Sequence, residues 1–122
     1  MYRGLSVAVV IVQVSASVAL AQNAKPTYEG DPSVYKLIFE DANFRVIKAT
    51  RKAGVHDKTH AHLSPGVVYN LTDCKTKIYD AEGKTREAGG KAGTATAVPV
   101  IPSHSAEEIG PTDCEQLFVE RK

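Results

Sequence analysis

The chain has 122 residues, of which 15 are lysine or arginine, 14 are aspartate or glutamate and 43% are hydrophobic. That length suits one small domain with one core and leaves no room for a second. Charges so nearly balanced give no broad basic face, which excludes nucleic acid and anionic membrane as electrostatic partners.

Residues 1–21 read as an export signal. Arg3 supplies a sparse positive start, residues 5–14 are largely apolar, and Ala19-Leu20-Ala21 forms a small-x-small cleavage site before Gln22. The apolar run is broken by Gln13, Ser15 and Ser17, and it is shorter than the roughly 20 residues a spanning helix needs. An uncleaved anchor is the alternative. Cleavage would leave 101 residues and, without Arg3, 14 basic against 14 acidic side chains. Export to a periplasmic or secreted location also bears on Cys74 and Cys114, the only cysteines. In an oxidising compartment the pair reads as one structural disulfide, a redox pair or thiolate ligands being the alternative. Neither cysteine lies in a CxxC.

Residues 22–33 contain Pro26, Gly30 and Asp31-Pro32 and show no hydrophobic periodicity, so a flexible leader is expected there. From Val34 onward come nine short runs rich in Val, Ile, Tyr, Phe and Thr, which predict strands. They span residues 34–39, 44–50, 56–62, 67–72, 75–79, 85–88, 94–99, 103–109 and 115–119. Turn residues separate them, and Asp80-Ala81-Glu82-Gly83 predicts a hairpin. No segment carries a helical stripe through a dozen residues. Evenly spaced short strands with tight turns indicate an all-β antiparallel sandwich or barrel over residues 34–122. Gly89-Gly90-Lys91-Ala92-Gly93 is glycine-rich but leads into no strand-to-helix unit, so it predicts no phosphate cradle.

The chemistry-bearing feature is His60-Ala61-His62, with a third histidine at His104. Side chains alternate across a strand, so two histidines one residue apart project to the same side. Neutral imidazole is the commonest protein ligand for first-row metals. An HxH alone is a weak signal; its surroundings give it weight.

Those surroundings resemble the cupin superfamily. Its first motif is a glycine, five residues, HxH, three or four residues, a glutamate, six residues and a glycine, and Gly54, His60 and His62 match at that spacing. Its second motif is a glycine, five residues, P-x-G, two residues, a histidine, three residues and an asparagine, and Gly93, Pro99 and His104 match in register. The resemblance covers residues 34–122. It implies a jelly-roll β-barrel with His60, His62 and His104 turned inward as ligands of a divalent metal ion, whether iron, zinc, nickel, manganese or copper. The barrel would hold a small-molecule ligand or substrate, and two such barrels would pair as a homodimer through a sheet face or edge, although no interface can be named.

The departures from the motifs concern chemistry. The glutamate that usually completes the metal site falls on Gly66 or Val67, the closing glycine on Asp73 or Cys74, the second-motif glycine on Ile101 and the asparagine on Glu108. Cys74 at or beside a family turn position implies a bridge that fastens the barrel away from the metal. Three-histidine cupins without the glutamate occur among non-heme iron oxygenases, including thiol and diketone-cleaving dioxygenases, so the missing carboxylate is compatible with catalysis. Three neutral ligands leave a dication uncompensated, which favours an anionic molecule or hydroxide at the open positions.

Two function classes follow: a metal-dependent enzyme with oxygenase-, isomerase- or lyase-like chemistry on a small polar or anionic molecule, or a barrel that binds a ligand or metal without turnover. Glu108 and Tyr69 are the candidate catalytic residues. Glu108 shares strand parity with His104 and would point inward, unless Glu107-Glu108 is a solvated strand end. Tyr69 is either a pocket wall with a phenolic donor or an outward aromatic. His56 shares the parity of His60 but lies about 13 Å along a strand from it, so it reads as surface rather than accessory ligand. Lys75, Lys77, Lys84 and Arg86 read as solvated charges that protect a sheet edge.

Overall fold

The computed structural model describes residues 10–15 and 24–122. Of the expected export signal, only residues 10–15 fall among them, in no helix or strand; the rest lies outside the described residues. Beyond it the chain runs α1 (Thr27–Gly30), β1 (Tyr35–Glu40), β2 (Phe44–Arg51), β3 (His60–His62), β4 (Gly66–Asn70), β5 (Cys74–Asp80), β6 (Thr85–Gly90), β7 (Ala95–Val98), β8 (Ile101–Glu108) and β9 (Cys114–Arg121). The nine expected strands are present in order. They form two antiparallel sheets, β1-β2-β9-β4-β7 and β3-β8-β5-β6, the double-sheet jelly roll.

Alternation decides what faces inward. On β2, Ile47, Ala49 and Arg51 are buried; on β9, Cys114, Gln116, Phe118 and Glu120 are buried. The two strands pair without a break from Phe44 opposite Arg121 to Arg51 opposite Cys114, so these inward residues stack in rows across the sheet. Val34, Tyr35, Ile47, Ala49 and Phe118 form the apolar cluster, with Tyr28, Val68 and Val98 against it. Among the described residues, however, twelve polar or charged side chains are buried against nine apolar ones. Side chains of that kind do not pack a closed core, because each buried polar group needs a partner. Most find partners within the protein; among the described residues, Thr27 Oγ1, Arg51 Nη1, His62 Nδ1 and both ring nitrogens of His104 do not.

Two expectations are corrected. Residues 24–33 are not a flexible leader: Thr27 and Asp31 are buried, Pro26 bridges Ala61 in parallel, Ala61 N–H donates to the Lys25 carbonyl at 2.8 Å, and Ala24 N–H donates to the Pro102 carbonyl at 3.1 Å. The segment lacks hydrophobic periodicity because backbone hydrogen bonds hold it. It covers β3, an edge strand whose unpaired backbone groups would otherwise be open. The second correction is to the strand expected over 56–62, of which only His60–His62 is regular. Before it, the Asp57 carboxylate takes the Ala106 N–H at 2.7 Å, and His56 makes an isolated bridge to Glu107.

The hairpin at residues 80–83 forms as expected. Asp80 Oδ1 accepts from Glu82 N–H at 3.0 Å and Lys84 N–H at 2.8 Å, and Gly83 takes a φ of +81°, which glycine adopts without steric cost. Cys74 and Cys114 are bridged, joining β5 of one sheet to β9 of the other across 40 residues of sequence. His104 pairs with Asp80, six residues along β5 from Cys74, or about 20 Å. The bridge fastens the end remote from the histidines.

In the chain-entropy description, closing a loop of this length stabilises the fold by up to about 4 kcal/mol. A Cys74→Ser, Cys114→Ser double variant is expected to lose about 2–4 kcal/mol in urea denaturation while keeping its metal content. That separates the bridge from the site.

Candidate metal centre

The register of β3 on β8 brings the histidines together. His60 pairs directly with His104 and His62 with Ile101, with an irregularity between the two pairs. Ring centroids are 4.7 Å apart for His60 and His104, 4.9 Å for His62 and His104, and 5.4 Å for His60 and His62, all nearly edge to face. One ring nitrogen from each lies within 4.8 Å of the others, and all three residues are buried. The ligand set read from the motifs therefore converges in space.

The neighbours of each ring determine which nitrogen is free. His60 Nδ1 lies 2.8 Å from the Lys58 carbonyl, which only accepts, so Nδ1 carries the proton and Nε2 keeps its lone pair. Tyr35 does not claim that lone pair. Its hydroxyl is 3.4 Å from Nε2 but donates to Asp57 Oδ2 at 2.6 Å and accepts from Arg51 Nη2 at 2.7 Å. His62 Nδ1 is 3.7 Å from Glu120 Oε1. His62 Nδ1 and both nitrogens of His104 are buried without a hydrogen-bond partner. Unpartnered buried ring nitrogens are costly; one nitrogen of each histidine converges on a common point, where a divalent cation would take their lone pairs. The residues fit such an ion.

Burial above all depresses the pKa of His60, and it lowers that of His104 to about 3, helped by His60 and His62 and then by the charges of Arg86 and Arg51. Both rings are therefore neutral near pH 7, the form that binds metal.

The absent motif-one glutamate has a structural explanation. At Gly66 a Cβ would run into the Val119 carbonyl on β9, so no side chain fits there. Val67 is on the outward face and 45% exposed. A carboxylate nevertheless reaches the site from the facing strand, because Glu120 pairs with Gly66 across β4 and β9. Glu120 is buried, lies beside His62 and is held by Arg45 Nη1 at 3.4 Å. The mutually close ligand atoms are those of the three histidines and do not include Glu120. It stands beside His62, 3.7 Å from Nδ1, beyond hydrogen-bond distance, and contributes a negative charge next to the ring.

A cavity of about 340 Å³ opens beside the histidines. His62 and His104 line it, together with apolar walls from Val68, Ile78, Val98, Ile101 and Phe118 and polar groups from Arg51, Thr76 and Gln116. Neither candidate catalytic residue lines it. Glu108 is inward and fully buried, but four residues beyond His104 on β8, at the disulfide end. There it accepts from Lys75 N–H at 2.9 Å, Gly110 N–H at 3.1 Å and Thr76 Oγ1 at 3.4 Å. Its carboxylate ties a strand end. Tyr69 is 40% exposed on the outward face of β4. His56 is exposed, bonded to Ser105 Oγ at 2.8 Å and stacked on Tyr79.

Of the charges expected only as edge protection, Arg86 on edge strand β6 lines the cavity as well. Arg51, Tyr35 and Asp57 were not anticipated at the site. For Arg51 a signal existed in the sequence, since it continues the alternation of Ile47 and Ala49. An arginine in an inward position reads as a strand end when only hydrophobicity is counted.

No protein-family model matches the sequence, and no curated protein matches it. Solved structures do resemble the fold. A cupin domain from Bordetella pertussis superposes with a TM-score of 0.66 at 17% identity, covering 80% of this chain and 96% of that one. A conserved protein with a double-stranded β-helix domain from Klebsiella pneumoniae gives 0.58 at 15% identity, covering 81% and 83%. A polyketide cyclase from Streptomyces resistomycificus gives 0.55 at 17% identity, covering 80% and 68%. The fold is that of the cupins, as the motif spacing implied.

Two outcomes test the centre. Glu120→Gln, which keeps shape and removes charge, should weaken zinc binding about 10-fold or more, measured by competition with a chromophoric chelator. In metal-free protein, a histidine whose folded pKa lies below its unfolded value near 6.5 makes the unfolded state bind more protons as pH falls. Its contribution to stability is present above pH 6.5 and is lost toward pH 3, with a slope of up to about 1.4 kcal/mol per pH unit. Urea titrations across that window should show the slope, and His104→Gln should flatten it.

Proposed function

We propose that this chain is an exported cupin that binds one divalent metal ion through His60, His62 and His104 and acts on a small polar or anionic molecule held in the barrel cavity. The observation that carries this reading is the juxtaposition of three convergent, incompletely partnered imidazoles with a cavity whose walls are apolar and whose buried polar groups face inward. Bound there, the ion would supply Lewis-acid catalysis or, if redox-active, activation of dioxygen. Iron, zinc, nickel, manganese and copper all suit three imidazoles, and availability at the site of loading decides among them.

The chain's own residues bind and orient. The Lys58 carbonyl sets the ring orientation of His60, Glu120 places a negative charge beside His62, Phe118 and Val68 give the cavity apolar walls, and Arg51 and Gln116 line it on the polar side. Burial raises the pKa of Tyr35, so its phenol stays protonated and bonded to Asp57. Oxygenase-, isomerase- or lyase-like chemistry would then centre on the ion. One observation favours the second reading, a binding barrel without turnover: the carboxylate of Glu108 and the phenol of Tyr69 are both remote from the cavity. Export is supported by the pattern of residues 1–21 and by the disulfide.

Metal analysis of protein purified from the exporting compartment, beside a His60→Ala, His62→Ala variant, tests the centre. Near-stoichiometric metal in the wild type and its loss in the variant are expected; equal metal in both would overturn the reading. Oxygen consumption by iron-loaded protein with thiols or diketones would separate an oxygenase from a binding barrel.

A further inference from the structure

Arg51 is the group in the barrel that the metal centre does not account for. It is 2% exposed, at the last position of β2, and lines the cavity with His62 and His104. Nε and Nη2 donate to Asp57 Oδ2 at 3.3 and 3.1 Å, and Nη2 also donates to the Tyr35 hydroxyl at 2.7 Å. Nη1 is buried and has no partner. A guanidinium is always charged and carries five N–H donors in a rigid fork. Here one prong is fixed in the protein and the other is left over. A buried charged donor without an acceptor is expensive, and in native structures such a group is explained by something that binds it.

The surroundings define what that is. Asp57 already balances the Arg51 charge, and Arg86 and Glu87 at the rim offset each other, so what Nη1 lacks is an acceptor, and the strongest acceptor for a guanidinium N–H is a carboxylate oxygen. One nitrogen with two hydrogens suits a single carboxylate edge. A phosphate or sulfate brings at least three acceptor oxygens and a second charge, whereas most of the lining is apolar or already bonded within the protein: Thr76 Oγ1 donates to Glu108 and Gln116 Nε2 to Asn70. A cavity of about 340 Å³ holds about ten non-hydrogen atoms, at roughly 30 Å³ for each water-sized group.

We propose that the molecule bound in the barrel is a small carboxylic acid with an apolar body, its carboxylate received by Arg51 Nη1 and its body lying against the Val68, Ile78 and Phe118 walls toward the histidines. This rests on the proposed metal-binding function only for the direction in which the body points. The Arg51 contact itself needs no metal.

The test is titration of benzoate and of benzamide, its uncharged counterpart, into zinc-loaded and chelator-treated protein, followed by calorimetry and by amide shifts of cavity residues. Benzoate is expected to bind saturably and at least about tenfold tighter than benzamide, in both forms of the protein. Arg51→Lys keeps a cation for Asp57 but loses the free prong, and should weaken benzoate by about tenfold or more. Ala88→Phe fills the cavity from β6 while leaving every member of the Arg51, Tyr35 and Asp57 network unsubstituted, and should abolish binding. It serves as the second variant should Arg51→Lys fail to fold.

Equal affinity for benzoate and benzamide, unchanged binding in either folded variant, or displacement of benzoate by equimolar phosphate would overturn the inference. Zinc content is read on the same samples. Arg51-dependent benzoate binding in protein that takes up no zinc would sink the metal centre and leave the carboxylate site standing, and the reverse result would do the opposite.

Discussion

Asp57 is a buried carboxylate in the space between the two sheets, and much of the architecture around the histidines supplies its partners. Its side chain is buried, its Oδ1 accepts from Ala106 N–H on β8, and its Oδ2 receives Arg51 from β2 and Tyr35 from β1. It also stands 3.7 Å from His60 Nδ1. An isolated carboxylate would not stay ionised in such a place, and removing one partner of a buried pair typically costs 3–5 kcal/mol. The pair therefore acts less as a source of stability than as a constraint. Through Asp57, three residues before His60, β1 and β2 of one sheet are tied to β8 of the other, the strand on which His104 pairs with His60.

The carboxylate that accompanies the histidines comes from a different strand than the motif spacing would place it on. Gly66 has no side chain because β9 passes too close for one. The strand that excludes a side chain at Gly66 carries Glu120 to the same spot from the other side. What differs from a motif-one glutamate is reach: Glu120 stands beside His62 and is held by Arg45, so the coordination sphere keeps three neutral ligands. A dication held by three neutral imidazoles would carry its full positive charge into the cavity, and the unpartnered Arg51 Nη1 is a second group there that calls for an acceptor.

Much of this was legible in the chain. Nine strands were predictable because Val, Ile, Tyr and Thr alternate with polar residues between turn-forming residues, and period-two alternation is a local property. The histidines were legible as a set because a motif spacing stores a tertiary register in sequence distances. The failures have a common cause. Residues 24–33 lack hydrophobic periodicity, yet they are held by backbone hydrogen bonds to the edge of β3, which composition does not report. Arg51, Asp57 and Glu120 look like ordinary surface charges until a partner is supplied, and each partner comes from a different strand. Glu108 was left open between an inward carboxylate and a solvated strand end; it is buried, but inward along β8 is a line, and four residues move it from the histidines to the disulfide end.

The sequence by itself determined the class of fold, the order of its strands, the pair of cysteines and the three imidazoles, because alternation, turn chemistry and motif spacing are written in neighbouring residues. The tertiary structure decided which charges are buried, that the lost carboxylate returns from β9, that Glu108 and Tyr69 stand away from the cavity and that one prong of Arg51 is free. Those depend on register between strands and on the sheets' approach, where the cost of burying a charge is resolved by groups far apart in the chain.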